Sequence, residues 1–278
     1  MKKFIVLMLI LCFVAVSAQG SYFTSFEASE GYVDDTTLNG DEGWSLLLGG
    51  DRGKTWSTAD HGTTHDPGPA ALAGSGSQYA RLYGNYNVAG GRTGLVQNLD
   101  ETERIGSGKE NAWSAEGSSL MSQRYTASSF EGAFTYFGTN GQGWAAQVGF
   151  WGNNFAYYDG ATLVQTTATV SNDTWYEFDV VMNCGGTGVT DTYDLIISNA
   201  ATEAQVVSVQ DLEFRNEGVV DYISDILILS GRPTTVWPEW YNAGATFFDD
   251  VSVQEIPEPA TMILLLGGAL SMVIRRKK

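Results

Sequence analysis

Cysteine, histidine and basic residues are scarce in this 278-residue chain, and each scarcity excludes something. The two cysteines are Cys12 and Cys184. Cys12 lies within an N-terminal export signal, so one cysteine remains, no internal disulfide can form, and the domain must hold through its core alone. Cys184, in MNCGGTG, reads as a loop or strand-end residue and not as a nucleophile. The two histidines, His61 and His65, sit in DHGTTHDPGP beside Asp60 and Asp66. Histidines four apart bind zinc when a helix brings them to one face. The threonines and the Pro-Gly-Pro break argue against a helix, so the stretch reads as a polar surface loop. Six of the 15 Lys and Arg lie at the extreme ends, and between Lys3 and Arg275 nine basic residues face 32 acidic ones, a net charge of −23. Such a surface repels nucleic acid and anionic lipid, and suits cation binding or solubility outside a cell. No glycine-rich stretch follows a strand and opens a helix, so phosphate cradling has no support.

The ends carry what the body lacks. MKKFIVLMLILCFVAVSAQG has Lys2 and Lys3, an apolar run from Phe4 to Val16, and small residues through Ala18. That order is a secretory signal peptide, residues 1–18, too short and wrongly flanked for a spanning helix. Ile10 and Leu11 stand where a lipoprotein signal would need small residues before Cys12. At the other end, Ala260 to Ile274 carries no charge and as a helix would cover about 22 Å. A hydrocarbon core is about 30 Å thick. The basic cluster Arg275, Arg276, Lys277 and Lys278 can snorkel, and it favours the cytoplasmic side. Residues 256–278 thus read as a short transmembrane helix that anchors an exported chain. Between the signals lie about 237 residues, 19–255, which suit one large all-β domain with a sizeable core.

Apolar residues in that body alternate, and none recur at the helical period. Tyr176, Phe178, Val180 and Met182 share one face of WYEFDVVM, as do Tyr193, Leu195 and Ile197 of TYDLIIS. Ile226 and Ile228 oppose Leu227 and Leu229 in SDILILS, which predicts a strand covered on both faces. Phe247, Asp249, Val251 and Val253 alternate in TFFDDVSVQ. SYFTSFE, QYARLYG, GAFTYFG and AAQVGFWG are further strands, and Asn39-Gly40, Asn140-Gly141 and Asp159-Gly160 are turns between strands. Many short strands at this spacing predict an all-β jelly-roll β-sandwich of two antiparallel sheets.

Two resemblances add to this reading. Pro257-Glu258-Pro259, the short apolar run and the terminal basic cluster resemble the PEP-CTERM sorting signal of Gram-negative bacteria. That resemblance implies an exosortase as processing partner near the Pro-Glu-Pro. It also implies inner-membrane anchoring before processing, then release or transfer to the cell surface or an exopolysaccharide matrix. SYFTSFEASEGYVDDTTLNGDEGW, the pair TWYEFDVVMN and TYDLIIS, and the closing FFDDVSV resemble the first, central and last strands of concanavalin A-like jelly rolls. That family includes LamG-like and carbohydrate-binding modules, and its first and last strands pair side by side. Such modules often hold a structural calcium where those strands meet. By motif match the ligands would be Glu27 and Asp249, with Asp250 as the alternative.

Other cation and catalytic candidates are weaker. The acidic loop Asp34-Asp35 and Asp41-Glu42 is a second place where a cation could bind. Family 16 glucanases share the fold and carry E-x-D-x-x-E on a strand. Here Glu177-Phe178-Asp179-Val180-Val181 is followed by Met182 where the second glutamate should stand. Retaining hydrolysis needs two carboxyls about 5–5.5 Å apart, so Glu177 and Asp179 read as the solvent face of a half-buried strand, and no enzyme is expected.

Sugars dock on aromatic rings, and the chain holds eight Trp and 13 Tyr. Trp144, Trp151, Tyr157 and Tyr158 crowd one stretch; Trp237, Trp240 and Tyr241 crowd a Pro-interrupted loop. Trp144, Trp151, Tyr158, Trp237, Trp240 and Tyr241 are the candidate glycan-binding set, against the alternative that they fill the core. The expected function is a non-catalytic surface protein that binds extracellular polysaccharide. The alternatives are a structural or adhesion protein, and a glycan-active enzyme with an unrecognised site.

Overall fold

Alternation in WYEFDVVM becomes a two-faced strand. Tyr176, Phe178, Val180 and Met182 are buried, while Glu177, Asp179 and Val181 are half-buried between them. A computed structural model of the chain describes residues 21–34, 36–40, 42–48, 53–57, 69, 76–82, 93–107, 112–123, 130–139, 143–185, 189–216, 220–230, 232–233 and 246–256. The described strands are β1 (Ser21–Thr24), β2 (Trp44–Leu48), β3 (Gly53–Ser57), β4 (Gln78–Leu82), β5 (Thr93–Asn98) and β6 (Ala112–Gln123). They continue with β7 (Phe130–Glu131), β8 (Ala133–Thr139), β9 (Gly143–Trp151), β10 (Asn154–Asp159), β11 (Thr162–Thr169) and β12 (Tyr176–Gly185). The last five are β13 (Thr192–Asn199), β14 (Ala204–Glu213), β15 (Asp225–Ser230), β16 (Arg232–Pro233) and β17 (Thr246–Glu255). A single 3-10 turn, Ala28–Glu30, is the one helical element among the described residues. No described helix is long and apolar enough to cross a membrane. Residues 1–20 and 257–278, which hold the expected signal peptide and C-terminal helix, lie outside the described residues.

The strands form two antiparallel sheets. One has eight strands, in the order β14-β13-β12-β6-β17-β4-β3, with β1 also paired to β17. The other has seven, in the order β11-β10-β9-β8-β15-β5-β2. A separate two-stranded pair joins β16 to β7. First and last strands do lie side by side, Ser21 opposite Gln254 and Thr24 opposite Val251. The central hairpin pairs β12 with β13, Phe178 opposite Ile197. DILILS is buried along its whole length between β8 and β5, as its continuous apolar run requires.

One core fills the space between the sheets. Its densest part is aromatic: Phe155 meets Tyr176 edge-on at 4.8 Å and Phe150 meets Phe178 at 5.4 Å, so β9 and β10 of one sheet grip β12 of the other. T-shaped pairs like these add about 0.5–1.5 kcal/mol each beyond their buried area. Cys184 is in no disulfide and is buried in the same core as Phe178.

The expected alternation through TFFDDVSVQ is broken. Phe247 packs on the outer face of the eight-stranded sheet with Tyr79, Leu120 and Trp175, whereas Val251 and Val253 enter the core. The register against β6 shifts between Asp249 and Ser252, and Asp250 takes φ 44. An extra residue in one strand leaves period 2 and re-aims the side chains that follow, which is what a β-bulge does. The bulge sets Asp249 and Asp250 at the edge of the break where β17 leaves β4 and takes up β1, close to the turn that follows β1.

Candidate functional site

Two places gather the residues singled out from the sequence. The first is the acidic edge at the bulge. Glu27 follows β1, and its Oε1 accepts the backbone N–H groups of Ser77 (2.6 Å) and Gln78 (2.7 Å). Its Oε2 accepts the Ser77 hydroxyl at 3.2 Å and keeps a free lone pair. Glu30 accepts the Ser25 N–H at 2.9 Å, the Ser25 hydroxyl at 2.7 Å and the Thr24 hydroxyl at 2.9 Å, locking the turn after β1. Asp249 is 2% exposed and its Oδ1 accepts the Asp250 N–H at 2.9 Å.

Burial disfavours the charged form of Asp249, and the carboxylates of Asp250, Glu27 and Glu30 disfavour it further. Its carboxyl is pushed up to about 9, against the smaller pull of the Asp250 N–H. Burial, then Glu30 and Glu27, pushes Asp250 up to about 6. Burial, with Asp179, Asp250 and Glu203, raises Glu177 as well. The edge therefore concentrates negative charge that its acids can carry only by holding protons or by meeting a cation. Among the described residues, no three His, Cys, Asp or Glu side chains converge as a ready metal-ligand set.

The second place is the outer face of the seven-stranded sheet. Here Phe134, Tyr136, Val96, Ala156, Leu227 and Leu229 form a second apolar cluster, with Trp144 and Trp151 packed on it. Strand register explains the grouping. Phe134 and Tyr136 of β8 face Gly149 and Gln147 of β9, and Ala156 and Tyr158 on β10 share their side. Gly149 has to be glycine, because a Cβ there would press on the Ala133 carbonyl and lie 2.8 Å from Phe134 Cα. Phe134 lies 6.4 Å from Trp151 and 6.2 Å from Tyr158, and Tyr136 lies 5.3 Å from Trp144. Trp144, Trp151 and Tyr158 are all half-buried, so the structure brings these three candidates together with part of each ring accessible.

A polar group that the sequence did not announce completes this face. The chain leaving β14 runs beside the start of β9, with Arg215 N–H donating to the Ala145 carbonyl at 3.0 Å and Asn216 N–H to Trp144 at 3.1 Å. The Asn216 side chain returns a bond by accepting the Trp144 N–H at 3.0 Å. This zipper lays the Arg215 guanidinium 4.4 Å from the Tyr158 ring centre and 5.7 Å from that of Tyr136. Arg215 Nη1 donates to Gln147 Oε1, and Gln147 Nε2 donates to the Tyr136 hydroxyl at 2.8 Å. Tyr136 and Gln147 are themselves buried, so what this cluster offers a sugar is the half-buried set Arg215, Tyr158, Trp144 and Trp151, rings that can stack on a sugar face beside a fixed guanidinium that can bond its hydroxyls. Alternation places one carboxylate, Asp225, on this face among the described strand residues, and it accepts the Ser224 hydroxyl. Arg215 left no periodic signal; its only sequence mark is a basic residue among acids, two positions past the end of β14.

Other candidates fall elsewhere. Trp237, Trp240 and Tyr241, the histidines His61 and His65, and the sorting residues Pro257, Glu258, Pro259, Arg275, Arg276, Lys277 and Lys278 lie outside the described residues. So do Asp35 and Asp41 of the acidic loop, while Asp34 and Glu42 are exposed. Glu177 and Asp179 occupy the outward side of β12 as expected, opposite Ser198 and Ile196.

The chain is an all-β sandwich that ends in a sorting signal. Residues 255–277 match the PEP-CTERM protein-sorting motif, which implies export, a membrane-anchored C-terminal region and processing by an exosortase. No curated protein sequence matches the chain. Among solved structures it is similar to cellulose induced protein Cip1, at 12% identity and TM-score 0.47 over 84% of this chain and 96% of that one. It is also similar to alginate lyase Aly36B in complex with alginate trisaccharide, at 11% identity and TM-score 0.49 over 87% and 100%. A third is arcelin-5, a lectin-like defence protein from Phaseolus vulgaris, at 10% identity and TM-score 0.46 over 86% and 99%.

Proposed function

We propose that the chain is an exosortase-sorted protein of the bacterial cell surface or extracellular matrix that holds polysaccharide on the outer face of its seven-stranded sheet. Before processing, the C-terminal helix anchors it in the inner membrane. The observation that carries the reading is Arg215, held over Tyr158 and bonded to Gln147 among half-buried rings. A guanidinium fixed in an aromatic patch on a chain this acidic is suited to hydroxyl-rich or acidic sugars. We read the role as binding without cleavage: paired carboxyls are what glycoside hydrolysis uses, and Met182 stands where the strand motif of glucanases would carry its second glutamate.

The acidic edge is the proposed place of a structural calcium. Its donors are carboxylate oxygens, which is calcium chemistry. Asp249 and Asp250 would bind it, with Glu27 Oε2 as the weaker partner, since the other Glu27 oxygen already holds two amides. A divalent cation there balances the charge that otherwise keeps Asp249 protonated.

The test is binding of the purified chain to the exopolysaccharide of the producing organism, first with calcium and then with EDTA. Saturable binding that EDTA weakens supports the whole reading. Binding indifferent to EDTA removes calcium from it. Absence of binding in both buffers moves the role to surface structure or adhesion.

A further inference from the structure

A pocket of about 390 Å³ opens at the end of the sandwich between β1, the turn after it, and the ends of β2 and β5. We infer that this pocket is a second binding site, for a protonated amino sugar. It stands apart from the aromatic face and does not rest on the polysaccharide reading of that face.

Four carboxylates line it, Glu30, Glu42, Asp100 and Glu103, and among the described residues no Lys or Arg does. Acidic residues alone would make only a solvated rim, but the amide of Gln97 adds an independent sign of a ligand. Gln97 is 6% exposed, and its Oε1 accepts no hydrogen bond among the described residues. It continues the row of Leu95 on β5, a row that otherwise faces the core, and lies opposite Trp44. A buried acceptor left without a donor is costly, so a fold keeps one where something else can supply the donor. Two backbone features keep these groups where they are. Gly31, at φ 105, has no Cβ to collide with the Glu42 carboxylate. Gly43, at φ 87, leaves room for the Gln97 amide, whose nitrogen would lie 2.7 Å from a Cβ placed there. Glu103 is held by the Asp100 N–H at 2.9 Å and Glu30 by Ser25 and Thr24.

The chemistry of the lining selects the ligand. Carboxylates and an orphan carbonyl oxygen are acceptors, so the ligand must bring donors and positive charge, and an ammonium brings three N–H donors and no acceptor. A bare metal ion fits less well, since it would fill a small part of the pocket and leave most of the lining unmet. The volume falls within the roughly 300–1,000 Å³ of small-molecule sites and leaves space for a body as large as a sugar ring. Hydroxyls of such a body would meet Asn98 and the Gln97 amide, which also line the pocket. A glucosamine-type residue joins both features.

Calorimetric titration of the purified chain with glucosamine at low ionic strength is the test, with N-acetylglucosamine, putrescine and calcium chloride in parallel. Glucosamine is expected to bind at least about ten-fold more tightly than N-acetylglucosamine or putrescine, since each control lacks the ammonium or the hydroxyls. Glu42→Gln, on an exposed side chain, is expected to weaken glucosamine about three-fold or more, and Glu42→Gln with Glu103→Gln about ten-fold. Equal binding of glucosamine and N-acetylglucosamine would overturn the proposal. So would equal binding of putrescine, or calcium binding that the double variant abolishes while glucosamine does not bind.

Discussion

Replacing Asp249 by Asn should stabilise this protein when calcium is absent, the opposite of what removing a buried hydrogen-bonding acid usually does. An aspartate in an unfolded chain titrates near 3.9. In the fold, burial and the acids around it hold the Asp249 proton to about pH 9. The folded state then binds more protons than the unfolded state between those values. Linkage makes this contribution to stability full below about pH 4 and progressively lost as pH rises toward 9. At pH 8 the cost accumulates over about four pH units at about 1.4 kcal/mol each, an upper bound of about 6 kcal/mol. Relaxation and water entry reduce such penalties, so about 3 kcal/mol is the working figure. Asparagine keeps the volume and the oxygen that accepts the Asp250 N–H, and carries no charge. Urea unfolding at pH 5 and pH 8 in EDTA measures the effect. The wild type should be less stable at pH 8 than at pH 5, and the variant should gain about 3 kcal/mol at pH 8 and less at pH 5. In millimolar calcium the order should reverse, because the ion favours the ionised wild type. An Asp249→Asn chain that is no more stable than wild type at pH 8 in EDTA would refute the electrostatic reasoning.

Three further outcomes follow from the same geometry. Gly149→Ala should cost about 3 kcal/mol by chemical denaturation, because the new methyl meets β8 backbone that cannot swing aside. Phe178→Ala, which empties the middle of the aromatic contact between the sheets, should cost about 3–5 kcal/mol in the same assay. Changing Pro257, Glu258 and Pro259 together to alanine should leave the C-terminal segment uncut, so that mass spectrometry finds the chain in the membrane fraction at its unprocessed length; normal release would contradict the sorting assignment.

Much of the sandwich could be read from period and punctuation, because β12, β13 and β15 obey the plain rule that inward positions recur every second residue. The bulge could not. Alternation in TFFDDVSVQ looks continuous, and only the pairing with β6 reveals that Asp250 steps out of register and sends Val251 and Val253 to the other side. The motif pointed to Glu27 and Asp249 as calcium ligands, with Asp250 as the alternative, but the high proton affinity of the two aspartates depends on burial and on how closely Glu27 and Glu30 approach, which no spacing encodes. Trp144, Trp151 and Tyr158 were legible as a cluster because one hairpin carries all three. Arg215 was not, since it reaches them from 57 residues beyond Tyr158 through a non-strand segment zipped to β9. Local sequence signals report which face of a strand is buried; they carry little about which distant segment crosses that face.

The central claim is that the outer face of the seven-stranded sheet is where polysaccharide binds. The most direct test is calorimetric titration of exopolysaccharide from the producing organism into wild type and into a chain with Arg215→Ala and Tyr158→Ala, each with an unchanged unfolding midpoint as proof of fold. Stacking and a charge-assisted bond together predict a loss of at least about 2 kcal/mol, roughly thirty-fold in affinity. Wild-type affinity in the double variant would place binding elsewhere and contradict the account.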